Sequence, residues 1–214
     1  MSIINRLSIC GQERISIGYQ LTASLVDDIQ TKVPASNYVL IVDDPAHLDS
    51  FKFNKGRLLS KVVMPGTRSR QAKADIEDWL LSETVTRDSC FIAVGEIGDL
   101  VGSVASTFMR GVPFVQVPTS LHGFFSAISG RLTMDTPSGK DLIGTVYNPK
   151  HIYMDLFFVQ SSSERQFLND MAEVIQTAAT VGESEFIKLE NNVDLIRSVL
   201  NKDIQKGKDH TYFL

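Results

Sequence analysis

Two glycines mark the first place in this sequence where chemistry could be done. An apolar run, Cys90–Val94, meets Gly95 and Gly98, and Asp99 opens a helical pattern behind them. A strand that ends in glycines and turns into a helix presents backbone N–H groups and a helix N-terminus, a setting that favours an anion such as a phosphate. A second apolar run, Tyr38–Val42, ends in Asp43-Asp44-Pro45. An acidic residue there can accept a hydrogen bond from a ribose hydroxyl; Asp43 or Asp44 can equally be an ordinary helix N-cap. Other candidates also have two readings. Arg110, before Gly111, suits a helix C-terminus. Lys140 sits in a Pro-Ser-Gly-Lys turn where a solvated lysine is ordinary. Thr119 and Ser120 follow Pro118 as natural helix caps, and the pair Phe124-Phe125 reads as core.

The elements that must position these residues follow from periodicity. Ile3–Cys10 and Ile15–Ile17 alternate weakly around Gly11-Gln12, which predicts an N-terminal hairpin. Leu21, Leu25, Val26 and Ile29 fall at helical spacing in the segment that Pro34 ends. Tyr38–Val42, Lys61–Met64, Cys90–Val94, Phe114–Val117 and His151–Asp155 read as strands, the most apolar of them buried on both faces of a parallel sheet. Helices are predicted over Ser69–Leu81 and Asp99–Met109. From Glu164 onward the pattern is helical throughout, with Phe167, Met171, Val174 and Ile175 on one face, then helices at Glu183–Glu190 and Val193–Leu200. Strands alternating with helices, followed by helices alone, give an α/β domain over 1–160, a helical segment over 161–200 and an unpatterned, disordered tail over 201–214.

Composition narrows the function classes. The chain has 214 residues, 43% hydrophobic and 21% charged, with a net charge of −4. That balance gives no basic footprint for nucleic acid, and no apolar run reaches the roughly 18 residues of a membrane span. The first 18 residues lack a signal peptide's apolar core. A soluble cytoplasmic protein is expected. Cys10 and Cys90 both lie in apolar runs and read as buried thiols.

The runs FMRGVPFVQVPTS, DTPSGKDLIG and NDMAEVIQTAA are specific, and together with the glycine turn they resemble the 3-dehydroquinate synthase family, most closely the first domain of the fungal pentafunctional arom polypeptide. The resemblance runs from Ile3 to about Leu200. It implies a Rossmann-like NAD-binding domain of dehydroquinate-synthase type followed by a helical, zinc-carrying domain that is cut short here. NAD would be used transiently to eliminate phosphate from 3-deoxy-D-arabino-heptulosonate 7-phosphate. By the same resemblance Asp43, Gly95, Gly98, Asp99, Thr119, Ser120, Lys140 and Ser161 are cofactor-binding positions. Arg110, Asp141 and Asn169 would touch substrate, Glu173 would be a zinc ligand, and a homodimer is implied.

The sequence also departs from the family. The triple-glycine turn is shortened to Gly95-Glu96-Ile97-Gly98-Asp99, so Glu96 puts a negative charge where a diphosphate should lie. The PGE-xx-K motif is reduced to Pro65-Gly66-Thr67-Arg68, and the VDSS segment to Phe124-Phe125-Ser126-Ala127. Arg131 and Gln176 replace lysines of the catalytic set, and Asp141 replaces an asparagine. The family's two zinc histidines lie beyond the last residue of this sequence; His47, His122, His151 and His210 form no H-x3-H pair, and none is near Glu173 in sequence. Glu173 therefore reads as an exposed or salt-bridged helix residue. The resemblance implies an impaired or inactive synthase-like chain. Fungal quinate-pathway activators resemble the same scaffold, so a non-catalytic regulator that binds a small metabolite is the alternative.

Overall fold

The structure, a computed structural model, describes residues 2–9 and 12–194. Its centre is the pair of strands that were the plainest in the sequence. β3 (Asn37–Val42) and β5 (Ser89–Val94) lie side by side, parallel, with Asn37 opposite Ser89 and Val42 opposite Val94. Earlier in the chain come β1 (Ser2–Ile9), β2 (Gln12–Tyr19) and helix α1 (Thr22–Lys32). β4 (Arg57–Val62), α2 (Arg70–Ser82), α3 (Gly98–Thr107) and β6 (Phe114–Val117) complete the central part. α4 (Leu121–Ser129), β7 (Arg131–Thr136), β8 (Gly139–Val146) and β9 (His151–Asp155) follow, and then α5 (Leu156–Ser161), α6 (Glu164–Val181) and α7 (Glu183–Asn191).

The sheet runs β1-β2-β9-β6-β5-β3-β4. Within this sheet, among the described residues, only the β1–β2 pair is antiparallel. From β3 the chain first goes outward to β4 and then returns to the other side at β5. The strand order therefore reverses between β3 and β5, and a ligand crevice is expected beyond the carboxyl ends of those two strands. Alternating strand residues feed two cores. Val39, Ile41, Phe91, Ala93 and Phe114 pack on α2 and α3, while Leu40, Val42, Ile92, Val94 and Val115 pack on α1. A third cluster joins Ile15, Ile17, Ile152 and Met154 to Phe124 of α4 and to Phe167 and Met171 of α6. This parallel sheet with helices is the expected α/β class.

Two details differ from the sequence reading. The strand expected at Lys61–Met64 lies earlier, at Arg57–Val62, because it pairs residue by residue with Asn37–Val42. It is an edge strand, largely exposed, so its true extent carries little apolar signal. The β7–β8 hairpin was not anticipated. It forms a separate two-stranded sheet laid on α3, where Gly102 faces Leu132 so closely that a Cβ would stand 2.8 Å from the leucine methyls. Its inward residues Leu132 and Met134 alternate with polar ones and precede a Pro137-Ser138 link, a pattern that strand and hairpin rules could have found. The expected helix at Val193–Leu200 and the tail fall largely outside the described residues, as does Cys10. Cys90 is buried and free, and burial pushes its thiol up to about 12. Among the described residues no helix is long and apolar enough to cross a membrane.

Candidate functional site

The carboxyl ends of β3 and β5 meet at a tight turn. Gly95 has φ +108°, a conformation that L side chains rarely adopt, and a Cβ on it would stand 2.0 Å from Asp43 Oδ1. Asp43 uses its other oxygen, Oδ2, to accept the Glu96 N–H at 2.7 Å. The aspartate at the strand end is thus turned into the glycine turn. Its neighbour Asp44 is the helix cap, accepting the Ala46 N–H at 2.9 Å ahead of a short 3-10 turn. α3 opens behind Gly98 with no side-chain cap at Ile97. Gln116 of β6 explains the second glycine, because its amide nitrogen would lie 2.3 Å from a Gly98 Cβ. Gln116 is 3% exposed and its Oε1 has no hydrogen-bond partner among the described residues.

A second group forms around Arg68, which sequence reasoning did not single out as a site residue. Its guanidinium lies 3.4 Å from Asp99, 3.7 Å from Asp135 and 3.2 Å from Asp141. Asp99, at the start of α3, also accepts hydrogen bonds from the Thr133 backbone N–H and hydroxyl, at 3.2 and 2.8 Å. These contacts fasten α3 to β7. Asp141 holds a left-handed φ of 57°. One cation answers three carboxylates, so Arg68 is largely committed within the chain.

The third group belongs to α4 and α6. Ser120 caps α4 by accepting the Gly123 N–H at 3.0 Å, and its hydroxyl donates to Glu96 Oε1 at 2.5 Å. Asp170 of α6, 4% exposed, accepts the Leu121 and His122 N–H groups at 3.1 and 3.4 Å and the Gln166 amide at 2.7 Å. One turn further along α6, Glu173 meets His122 Nδ1 at 2.6 Å. The hydrogen bond to Glu173 is the main cause of a raised His122 pKa. The fold therefore brings to Glu173 a histidine 51 residues away in sequence, which no local spacing could show.

Burial pushes the Glu96 carboxyl above its ordinary value of 4.5, against the hydrogen bond from Ser120. A raised acid favours folding below its unfolded value, and that contribution is lost as the pH climbs through the raised one. Glu96→Gln is accordingly expected to melt higher than the parent at about pH 8 and to show no such advantage at about pH 4. Equal gaps at the two pH values, measured by thermal melts, would refute the assignment.

Around these groups lies a cleft of about 260 Å³. Gly95, Gly98, Asp99 and Lys140 line it, and Arg68, Glu96, Gln116 and His122 join them. Lys140 is exposed and has no hydrogen bond or ion pair to the described residues. Asp43 lies behind Gly95, half-buried, and Ser120 is buried at the α4 cap. Thr119 is half-buried just before it. Ser161 is the last residue of α5. The remaining positions stand apart: Arg131, Asn169 and Gln176 are exposed. Arg110 is also exposed, in a 3-10 turn after α3. There α3 has carried the chain back to the amino-terminal edge of β6, opposite the cleft.

The comparisons agree with this architecture. The family model for the N-terminal region of 3-dehydroquinate synthase matches residues 62–169, just over half of the chain. The pentafunctional AROM polypeptide of Komagataella phaffii is 43% identical over 207 residues, 88% of this chain and 13% of the relative. That of Yarrowia lipolytica is 41% identical over 218 residues, 93% and 14% respectively. The chain thus spans a small part of the length of these curated relatives. A 2-deoxy-scyllo-inosose synthase, solved with carbaglucose-6-phosphate, NAD+ and Co2+, superposes with a TM-score of 0.67 at 21% identity, covering 77% of this chain and 47% of that one. The 2-epi-5-epi-valiolone synthase ValA from Streptomyces hygroscopicus subsp. jinggangensis, solved with NAD+ and Zn2+, does so at 0.69 and 20%, covering 96% and 61%. At these identities the solved structures speak for the fold.

The residues present fit the two family cofactors poorly. A catalytic zinc usually takes three protein ligands and keeps an open position. Here Glu173 and His122 bond to each other, and the described residues contain no group of three His, Cys, Asp or Glu able to hold a metal. For a dinucleotide, the glycine turn and the free end of α3 are suitable, but Asp43 is engaged within the turn and the Glu96 carboxylate reaches across it.

Proposed function

Because the chain belongs to the 3-dehydroquinate synthase family, we propose that it is a synthase-like protein that does not carry out the family reaction by itself. The observation that carries this reading is the His122–Glu173 hydrogen bond, which joins the family's metal-ligand position to a side chain of α4. A Lewis acid that polarises the substrate cannot be replaced by such a pair. Arg131 and Gln176, where the family has lysines, are exposed at the start of β7 and on α6. The test is release of orthophosphate from 3-deoxy-D-arabino-heptulosonate 7-phosphate by the purified chain with NAD and added zinc or cobalt. No release above the blank is expected, and steady release accompanied by 3-dehydroquinate would overturn the proposal.

A second reading is a cytoplasmic metabolite-binding or regulatory module. It is favoured by the persistence of the cleft, on whose wall Lys140 is unpaired and the Gln116 carbonyl oxygen unsatisfied among the described residues. A small hydroxy acid could set its carboxylate against the lysine and a hydroxyl against the glutamine. Calorimetric titration with quinate separates the two readings, since saturable heat without turnover belongs to the second.

A further inference from the structure

We infer that Glu96 is a built-in strap across the cleft, occupying the corner in which the diphosphate of a dinucleotide would have to sit. The inference rests on the family reading for the identity of that ligand, and on four features of this chain for the strap itself.

The strap is anchored at both ends. Its backbone N–H is held by Asp43 at 2.7 Å on the β5 side, and its carboxylate takes the Ser120 hydroxyl at 2.5 Å on the α4 side. The side chain therefore spans from the turn after β5 to the helix after β6. The place it occupies is shaped for it: a Cβ on Gly123 would stand 2.7 Å from Glu96 Oε1, so the recess needs a glycine at that position.

The donors that would otherwise attract an anion at the start of α4 are spent within the chain. The Leu121 and His122 N–H groups go to Asp170, that of Gly123 to Ser120 Oγ and that of Phe124 to the Ser120 carbonyl. Two carboxylates, Glu96 and Asp170, thus already sit at the positive end of this helix dipole, where an incoming anion would gain most. Arg68, a cation on the cleft wall, is shared among Asp99, Asp135 and Asp141. The start of α3 is different. It has no side-chain cap, and the amide nitrogen of Gln116 stands against its Gly98. One half of the anion site is open and the other is filled from within, and Glu96 links the two.

The test compares wild type with Glu96→Ala, which removes the strap, and Glu96→Gln, which removes its charge and keeps an acceptor for Ser120. Each folded protein is titrated with NAD and separately with inorganic pyrophosphate by calorimetry. Glu96→Ala is expected to bind both at least tenfold more tightly than wild type, with Glu96→Gln between them. Melting curves for all three confirm that folded proteins are compared. Unchanged or weaker binding by both folded variants would overturn the strap, whether wild type binds NAD tightly or none of the three binds it at millimolar concentration. A failure of the functional reading looks different, because it appears as phosphate release by wild type and leaves the order of NAD affinities untouched.

Discussion

Asp155→Ala is expected to destabilise the chain by about 3–5 kcal/mol, the largest effect of any single polar substitution in this fold. Asp155 closes β9 and is fully buried. Its two oxygens accept the N–H groups of Gln20 at 2.8 Å, Leu21 at 2.7 Å and Phe157 at 3.0 Å, and the Thr22 hydroxyl at 3.2 Å. It caps α5 in the ordinary way and also serves the start of α1, whose own N-cap, Leu21, supplies no side-chain acceptor. A single lost cap costs about 0.5–2 kcal/mol; here two helix starts lose their acceptor together, and the buried Leu21 N–H is left unsatisfied. Urea denaturation at unchanged slope measures the loss. Asp155→Asn, which keeps one acceptor oxygen, should recover part of it. A cost below about 1 kcal/mol for the alanine variant would mean that water replaces the carboxylate, against the burial seen here.

Gly95→Ala should be nearly as severe, at about 3 kcal/mol, for two separable reasons. The backbone at φ +108° is costly for any L side chain, and the new methyl would overlap the Asp43 carboxylate. Asp43→Ala removes the second cause and leaves the first. In a double-mutant cycle the pair should therefore couple by about 1–3 kcal/mol, the double variant being more stable than the sum of the single losses predicts. Additive losses would place Asp43 elsewhere than against Gly95. This cycle also bears on the site, because the same contact turns Asp43 away from the role that its position at a strand end suggests.

The parts of this fold legible in the sequence were those determined locally. Tyr38–Val42 and Cys90–Val94 announce central strands because burial on both faces leaves no polar position to interrupt them. Ser120 was read as a helix cap and is one. What escaped was set by tertiary arrangement. β4 borrows its register from β3, and an exposed edge leaves no apolar trace. The outward face of β8 is exposed throughout, so the hairpin showed only in the alternation of β7. Arg68 reads in the sequence as the remnant of a shortened motif, whereas the fold sets three aspartates from α3 and the β7–β8 hairpin region around it. Glu96 could be judged from sequence as a misplaced charge. That its carboxylate is received by Ser120, in a recess left by Gly123, depends on how two separate crossovers stack.

The position of β9 has a consequence for how the molecule is made. Among the described residues β2 has no partner in the parallel part of the sheet except β9, pairing Ile15 with Ile152 and Gly18 with Asp155, and the start of α1 donates its N–H groups to the same aspartate. During synthesis the β1–β2 hairpin and α1 emerge well before β9, and their place in the sheet exists only after more than a hundred further residues have followed. Contacts this distant along the chain form late and slow folding. The β3–β6 region, whose pairings are closer in sequence, is the natural nucleus, and the β1–β2 hairpin, made before it, is enclosed after it. Until Asp155 leaves the ribosome, the amino-terminal hairpin is an unattached sheet edge, the stretch most in need of protection from other chains.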